Sequence, residues 1–212
     1  VQHTQYEVGL VPQITAWLLA AMVVAGALFG LAGKLFADGT HALSGVMKKH
    51  IAYAPLRPLL GGTVIAAVVM WGSFDRYIGL GIPVMVEAFG HPLAPTDFLG
   101  KMVFTIASLG SGFKGGEVTP LFYIGATLGN ALAPLLDVPF ALLAAVGFVA
   151  VFAGAANTPI ASTLMAVELF GAEIGVFAAL ACVMSYVCSG HSGIYRAQRV
   201  AHRKTNAPSQ PS

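Results

Sequence analysis

Ser108-Leu-Gly-Ser-Gly-Phe-Lys-Gly-Gly-Glu-Val-Thr-Pro-Leu-Phe-Tyr-Ile-Gly-Ala-Thr-Leu-Gly-Asn130 is the stretch that decides the fold. Five glycines between Gly110 and Gly125 let the backbone turn sharply and come close to a neighbour. Pro120 suits an early helical position, where its missing N–H leaves nothing unpaired. The spacing predicts a helix opening around Pro120, with Gly115 and Gly116 shaping the turn ahead of it. The amides of Glu117, Val118 and Thr119 are then helix-start donors without partners. A helix N-terminus in a low-dielectric setting is an anion site. The alternative is a loop packed closely between helices for steric reasons alone.

The surroundings of this segment point to lipid. Of the residues, 57% are hydrophobic and 9% charged, and the mean hydropathy is +0.78, where soluble domains carry roughly a quarter charged residues. From Gly115 to Tyr195 there is no Lys or Arg, and from Val138 to Val167 no acid. The expected class is an all-α integral membrane protein. A net charge of +2 with no basic stripe argues against nucleic acid. Cys182 and Cys188 show neither a disulfide framework nor metal spacing, and no cofactor motif or metal site is read. His191 beside Ser192 has no nucleophile elbow or HExxH around it, which argues against an enzyme. The start at Val1-Gln2-His3 lacks a basic n-region and a cleavage motif, so a fragment or processed start is expected rather than a signal peptide.

Apolar runs extend over Ile14–Phe36, continuing to a close at Lys48 and Lys49, then Leu56–Trp71, Tyr77–Phe89, Phe98–Leu109, Pro120–Leu136, Pro139–Ala153, Pro159–Phe170 and Ile174–Cys188. All but the first fall short of the about 20 apolar residues that a bilayer core requires, and Gly and Pro break them. Helices stopping at mid-membrane are tolerated only where they line a cavity or an ion site. The cluster Arg196, Arg199, His202, Arg203 and Lys204 predicts a cytoplasmic C-terminus, with Lys48, Lys49 and Arg57 on the same side. The expected organisation is a membrane domain over 1–205 and a polar, disordered tail over 206–212.

Gly116-Glu-Val-Thr-Pro120 followed by Ile124-Gly-Ala-Thr-Leu-Gly resembles the Gly-x-Phe-x-Pro segment and following helix of the CLC chloride channel/transporter family. Ala153-Gly-Ala-Ala-Asn-Thr-Pro-Ile-Ala-Ser-Thr-Leu-Met-Ala-Val-Glu-Leu169 resembles that family's Ala-rich stretch, proline and helix ending in a glutamate, here Glu168. Gly190-His-Ser-Gly-Ile-Tyr195 resembles the turn that delivers its pore tyrosine. The resemblance implies the second of two inverted repeats plus the terminal helix. It also implies a central anion held by backbone N–H groups of Glu117 and Val118 and by the Tyr195 hydroxyl.

The departures carry information too. The family's chloride carriers usually have an apolar residue at the position of Glu117 and Phe at that of Val118, so the chain looks more like the fluoride/proton antiporter branch. A carboxylate beside an anion is a like-charge problem, so Glu117 is expected to be protonated, to turn away, or to pair with Lys114 at i, i+3. Fluoride favours the first option, because this strongly hydrated ion needs strong donors and a protonated carboxyl is one; Thr119 adds a hydroxyl. The expected partners are fluoride, chloride or a related anion, protons, the lipid bilayer of a cell (inner) membrane and a second copy in a homodimer, with Pro159–Cys188 as the contact. The family's gating residues lie in the first repeat, outside this sequence. Two other readings therefore stay open: a chloride channel or chloride/proton antiporter, and a non-conducting half-subunit that needs a first-repeat half in the same natural chain or a companion. Glu168 is expected to make structural hydrogen bonds, and Asn157 with Thr158 to cap the helix that Pro159 opens.

Overall fold

A computed structural model describes residues 8–72, 74–191 and 193–195 of the chain. The basic cluster from Arg196 and the tail at 206–212 lie outside the described residues, as does Ser192. Among the described residues eight α-helices follow one another: α1 (Ala16–His50), α2 (Leu56–Trp71), α3 (Ile82–Gly90), α4 (Asp97–Gly110), α5 (Val118–Leu136), α6 (Phe140–Ala156), α7 (Pro159–Phe170) and α8 (Gly175–Cys188). Single 3-10 turns occupy Asp75–Tyr77 and Ala172–Ile174, and no strand occurs among the described residues.

The chain's own punctuation sets the boundaries. Thr15 caps α1, its hydroxyl accepting from Leu18 N at 3.2 Å. The α4 C-terminus is a Schellman closure: Gly112 takes φ +99°, its N–H donates to Leu109 O at 3.0 Å, and Phe113 N donates to Ser108 O at 3.3 Å. Asp137 (φ 52°) ends α5 and Asn157 (φ 58°) ends α6, both in the left-handed region that short polar side chains tolerate. The expected joint cap before Pro159 is therefore corrected. Asn157 terminates α6, and Thr158 alone precedes α7, without a side-chain cap bond. The predicted run Tyr77–Phe89 is also divided, because Gly79 (φ +63°) and Gly81 (φ +71°) turn the chain before Pro83 starts α3.

Helix α1 has 35 residues, roughly 52 Å at about 1.5 Å per residue, so it is longer than a hydrocarbon core of about 30 Å. Among the described residues α1 and α5 are long and apolar enough to cross a membrane, by length and composition. Helix α5 starts two residues earlier than the run from Pro120, because a proline in the first turn forfeits no bond.

Helix α6 is apolar all round, and from Leu142 to Ala156 all but Phe152 are buried. It crosses α5 at glycines. A Cβ on Gly125 would overlap the Gly147 carbonyl, and one on Gly129 that of Leu143. Helix α1 packs on α8 the same way, with Gly26 and Gly30 against Ala181 and Ser185. The Ser185 hydroxyl donates to Ala150 O at 2.6 Å and so ties α8 to α6. Lipid offers no hydrophobic drive between helices, so close small-residue contacts and interhelical hydrogen bonds hold such a bundle together. Helix α2 buries no residue and packs through Gly61 and Gly62 against Ser111 and Phe113, which follow the end of α4.

Candidate functional site

The glycine-rich segment spans from the end of α4 to the start of α5. Gly110 presses against the Leu43 side chain, which seats the end of α4 on α1. After the closure at Gly112 the chain passes Gly115 and Gly116 and enters α5, whose first bond runs from Leu121 N to Glu117 O at 3.2 Å. The amides of Glu117, Val118 and Thr119 come before any intrahelical acceptor. Among the described residues none of the three donates a hydrogen bond. Pro120 is third in the helix, as its chemistry demands. Residues 117–120 are half-buried, and a Cβ on Gly116 would meet nothing within 4 Å, so the backbone there borders open space.

Cavities flank this turn on two sides. One, of about 440 Å³, is lined by Thr40, His41, Ser44 and Lys48 of α1 together with Lys114, Gly115, Glu117 and Ile194. The Glu117 side chain makes no cap bond to its own helix. No Lys114–Glu117 ion pair closes among the described residues, although both groups line this cavity. The other cavity, of about 230 Å³, is lined by Tyr77, Gly79, Lys101, Thr105, Ser108, Gly115, Gly116 and Pro120.

The second cavity rests on a charged cluster that sequence reasoning missed. Lys101 is 2% exposed, and its ammonium donates to Gly79 O at 2.7 Å and Tyr77 O at 3.1 Å. It also lies 5.1 Å from the centre of the Tyr123 ring, a cation–π arrangement. Asp97, fully buried, accepts from the Tyr77 hydroxyl at 2.9 Å. Arg76 approaches its other oxygen at 2.8 Å, a charge contact rather than an aligned hydrogen bond. A Lys four residues after an Asp, at the start of an apolar run, was the available signal: ionisable groups at membrane depth face partners.

The turn bearing Tyr195 is pinned at two points. Ile194 N donates to Ala155 O at 2.9 Å, and His41 Nε2 donates to Gly193 O at 2.9 Å. Ile194 thereby reaches the wall of the Glu117 cavity, while Tyr195, next in the chain, is 47% exposed. Glu117, Lys114 and Ile194 are thus brought to one cavity, whereas Val118, Thr119 and Tyr195 are their chain neighbours and are not among its lining residues. Glu168 is exposed on α7, whose inward face is Ser162 and Ala166. It makes no hydrogen bond among the described residues, so the expected structural role is not met. Cys182 and Cys188 are free, the first buried and the second half-buried.

Known proteins match both the sequence and this geometry. Residues 1–190 match the family model described as voltage gated chloride channel. The chain belongs to the voltage-gated chloride channel (CLC) family. This CLC chain is 60% identical over 215 residues to a chloride/fluoride channel protein of Pseudomonas syringae pv. tomato, which covers 98% of this chain and 47% of the relative. It is 28% identical to a ClC-type chloride channel of Salmonella typhimurium, over 93% of this chain and 50% of the other. A crystal structure of a CLC-type fluoride/proton antiporter superposes with a TM-score of 0.86 at 32% identity, over 91% of this chain and 49% of that one. A slow cyanobacterial chloride/proton antiporter shares the fold, with a TM-score of 0.72 at 20% identity, over 89% of this chain and 47% of that one. The similarities place the chain in the fluoride branch. It spans about half the length of these relatives, and CLC membership makes it an integral membrane protein.

Proposed function

We propose that the protein containing this chain exchanges fluoride for protons across a cell (inner) membrane. The anion is held by the amides of Glu117 and Val118 and the hydroxyls of Thr119 and Tyr195. The observation that carries this reading is the start of α5, where three amides without partners stand at a half-buried carboxyl beside a polar cavity. Backbone N–H groups attract an anion without a full charge, so they bind firmly enough to strip its water and still release it.

Glu117 selects for fluoride and couples the proton. Ionised, it would repel an anion 4 Å away by about 4 kcal/mol at an effective dielectric of 20. Protonated, it offers a short, strong O–H donor suited to a small, hard anion, so anion binding and proton binding favour each other. The relatives' names support the ion: one is named for chloride and fluoride, and a solved neighbour is a fluoride/proton antiporter. A first-repeat half completes the pore in this reading, and two copies meet through the outward apolar faces of α7 and α8, where Ile160, Leu164 and Val183 are exposed. The C-terminus lies on the cytoplasmic side.

The test is ion efflux from liposomes holding the full natural chain, with external pH recorded and Glu117→Gln in parallel. Fluoride efflux with proton uptake, diminished by the substitution, is expected. Chloride efflux as fast as fluoride efflux would refute the selectivity. Unchanged proton coupling in Glu117→Gln would remove Glu117 from the proton's route.

A further inference from the structure

Helix α1 contributes Thr40, His41, Ser44 and Lys48 to the Glu117 cavity. His41, Ser44 and Lys48 fall at i, i+3 and i+7, on one helical face. They make a polar stripe on a helix whose buried residues before this point are apolar or glycine, Phe29, Phe36 and Ala37 among them. The stripe leads from the Glu117 cavity toward the basic last turn of Lys48, Lys49 and His50.

Histidine is the one side-chain type on this stripe whose chemistry is that of a proton shuttle. Lys48 and Lys114 also line the cavity, where an ammonium attracts an anion. The hydrogen bond to Gly193 O orients the imidazole. A carbonyl oxygen only accepts, so Nε2 carries a proton in both charge states, and the proton gained or lost is the one on Nδ1. The charge of His41 is also felt at the Glu117 carboxyl. The other ionisable groups lining this cavity are Lys48 on α1, Lys114 on the loop and Glu117 itself; Asp97 and Lys101 of α4 serve the other cavity's cluster.

We propose that His41 is the group that passes the transported proton to and from Glu117, by way of the cavity the two side chains share. The imidazolium gives its Nδ1 proton to the carboxylate, directly or across one water, leaving a neutral imidazole and a neutral carboxylic acid; the return step reverses this. The inference rests on the reading of Glu117 as the carrier of the coupled proton.

The test compares His41→Gln, His41→Ala and Glu117→Gln with the wild type in liposomes containing the full natural chain. Gln keeps an N–H donor for Gly193 O and loses the titrating group, whereas Ala loses both. A general acid–base group contributes about 10²- to 10⁴-fold, so proton-coupled fluoride flux in His41→Gln should fall at least about tenfold. Its pH dependence between about 5.5 and 7.5, the histidine range, should flatten. A wild-type rate and pH profile in His41→Gln overturns the proposal even if His41→Ala is impaired, because His41 then only clamps the turn. Glu117→Gln separates the two ideas. An impaired Glu117→Gln beside a normal His41→Gln sinks the relay alone, and a normal Glu117→Gln sinks the Glu117 reading and the relay with it. Should His41→Gln fail to assemble, the titration of His41 followed by NMR decides: its midpoint should move between wild type and Glu117→Gln, and an unmoved midpoint overturns the proposal.

Discussion

Gly125 and Gly147 meet backbone to backbone: the space a Cβ on either would occupy is filled by the carbonyl oxygen of the other. Helices α5 and α6 therefore cross with their backbones in contact, in the N-terminal half of α5. Gly147→Ala is expected to destabilise the folded protein by about 1–3 kcal/mol, the range for overpacking. A thermal melt in detergent measures this. Gly45→Ala is the control, because nothing lies within 4 Å of its added Cβ. It should gain about 0.5–1 kcal/mol from helix propensity. Equal melts for the two variants would refute the tight crossing.

Asn130 is the second clamp on α5. Its amide donates to Ala88 O and His91 O, both at 2.7 Å, and its carbonyl accepts from Leu93 N at 2.9 Å. Asn130→Asp turns both donors into acceptors that face carbonyl oxygens. With each stranded buried group costing about 1–3 kcal/mol, a loss of at least about 2 kcal/mol is expected in the same melt. A wild-type melting temperature would show that α3 is held by packing alone.

Lys101→Met tests the buried cluster behind the glycine turn. Methionine fills the space of the lysine stem, but Gly79 O and Tyr77 O lose their donor, at about 1–3 kcal/mol each. Because the second cavity also borders Gly115 and Gly116, fluoride flux should fall along with stability. Full flux with a lowered melting temperature would confine Lys101 to architecture.

Tyr195→Phe removes one hydroxyl from a side chain that is 47% exposed, so the fold should be unaffected. In the proposed site one neutral hydrogen bond is worth about 0.5–1.5 kcal/mol, or roughly two- to tenfold in fluoride Kd by calorimetry. An unchanged Kd would take Tyr195 out of the site.

The helices were legible in the sequence where glycine and proline mark them. Pro159 and Phe170 bound α7 as read, and the turn ahead of Pro120 opens α5 within one turn of its predicted start. The reading failed where a boundary depends on a side chain's conformational tolerance rather than its identity. Asn157 looks like an N-cap by type, yet it serves as the left-handed end of the preceding helix. The turn and helix start at Glu117–Pro120 were legible, because the missing N–H of proline and the glycines before it act over a few residues. His41 and Lys101 were not, because their partners Gly193 and Gly79 lie far away in the chain or offer only a main-chain carbonyl. A carbonyl is present at every position, so no residue type advertises it.

The amides at the start of α5 belong to the main chain, and that restricts how evolution can alter them. No exchange of side chain deletes the N–H of Glu117, Val118 or Thr119; only proline would, and Pro120 already occupies the adjacent place where its absence of an N–H is harmless. In the proposed site a change of preferred ion therefore keeps the same three donors and changes their neighbours. The carboxyl at Glu117 is the one neighbour carried by those same three residues that a single codon change can neutralise.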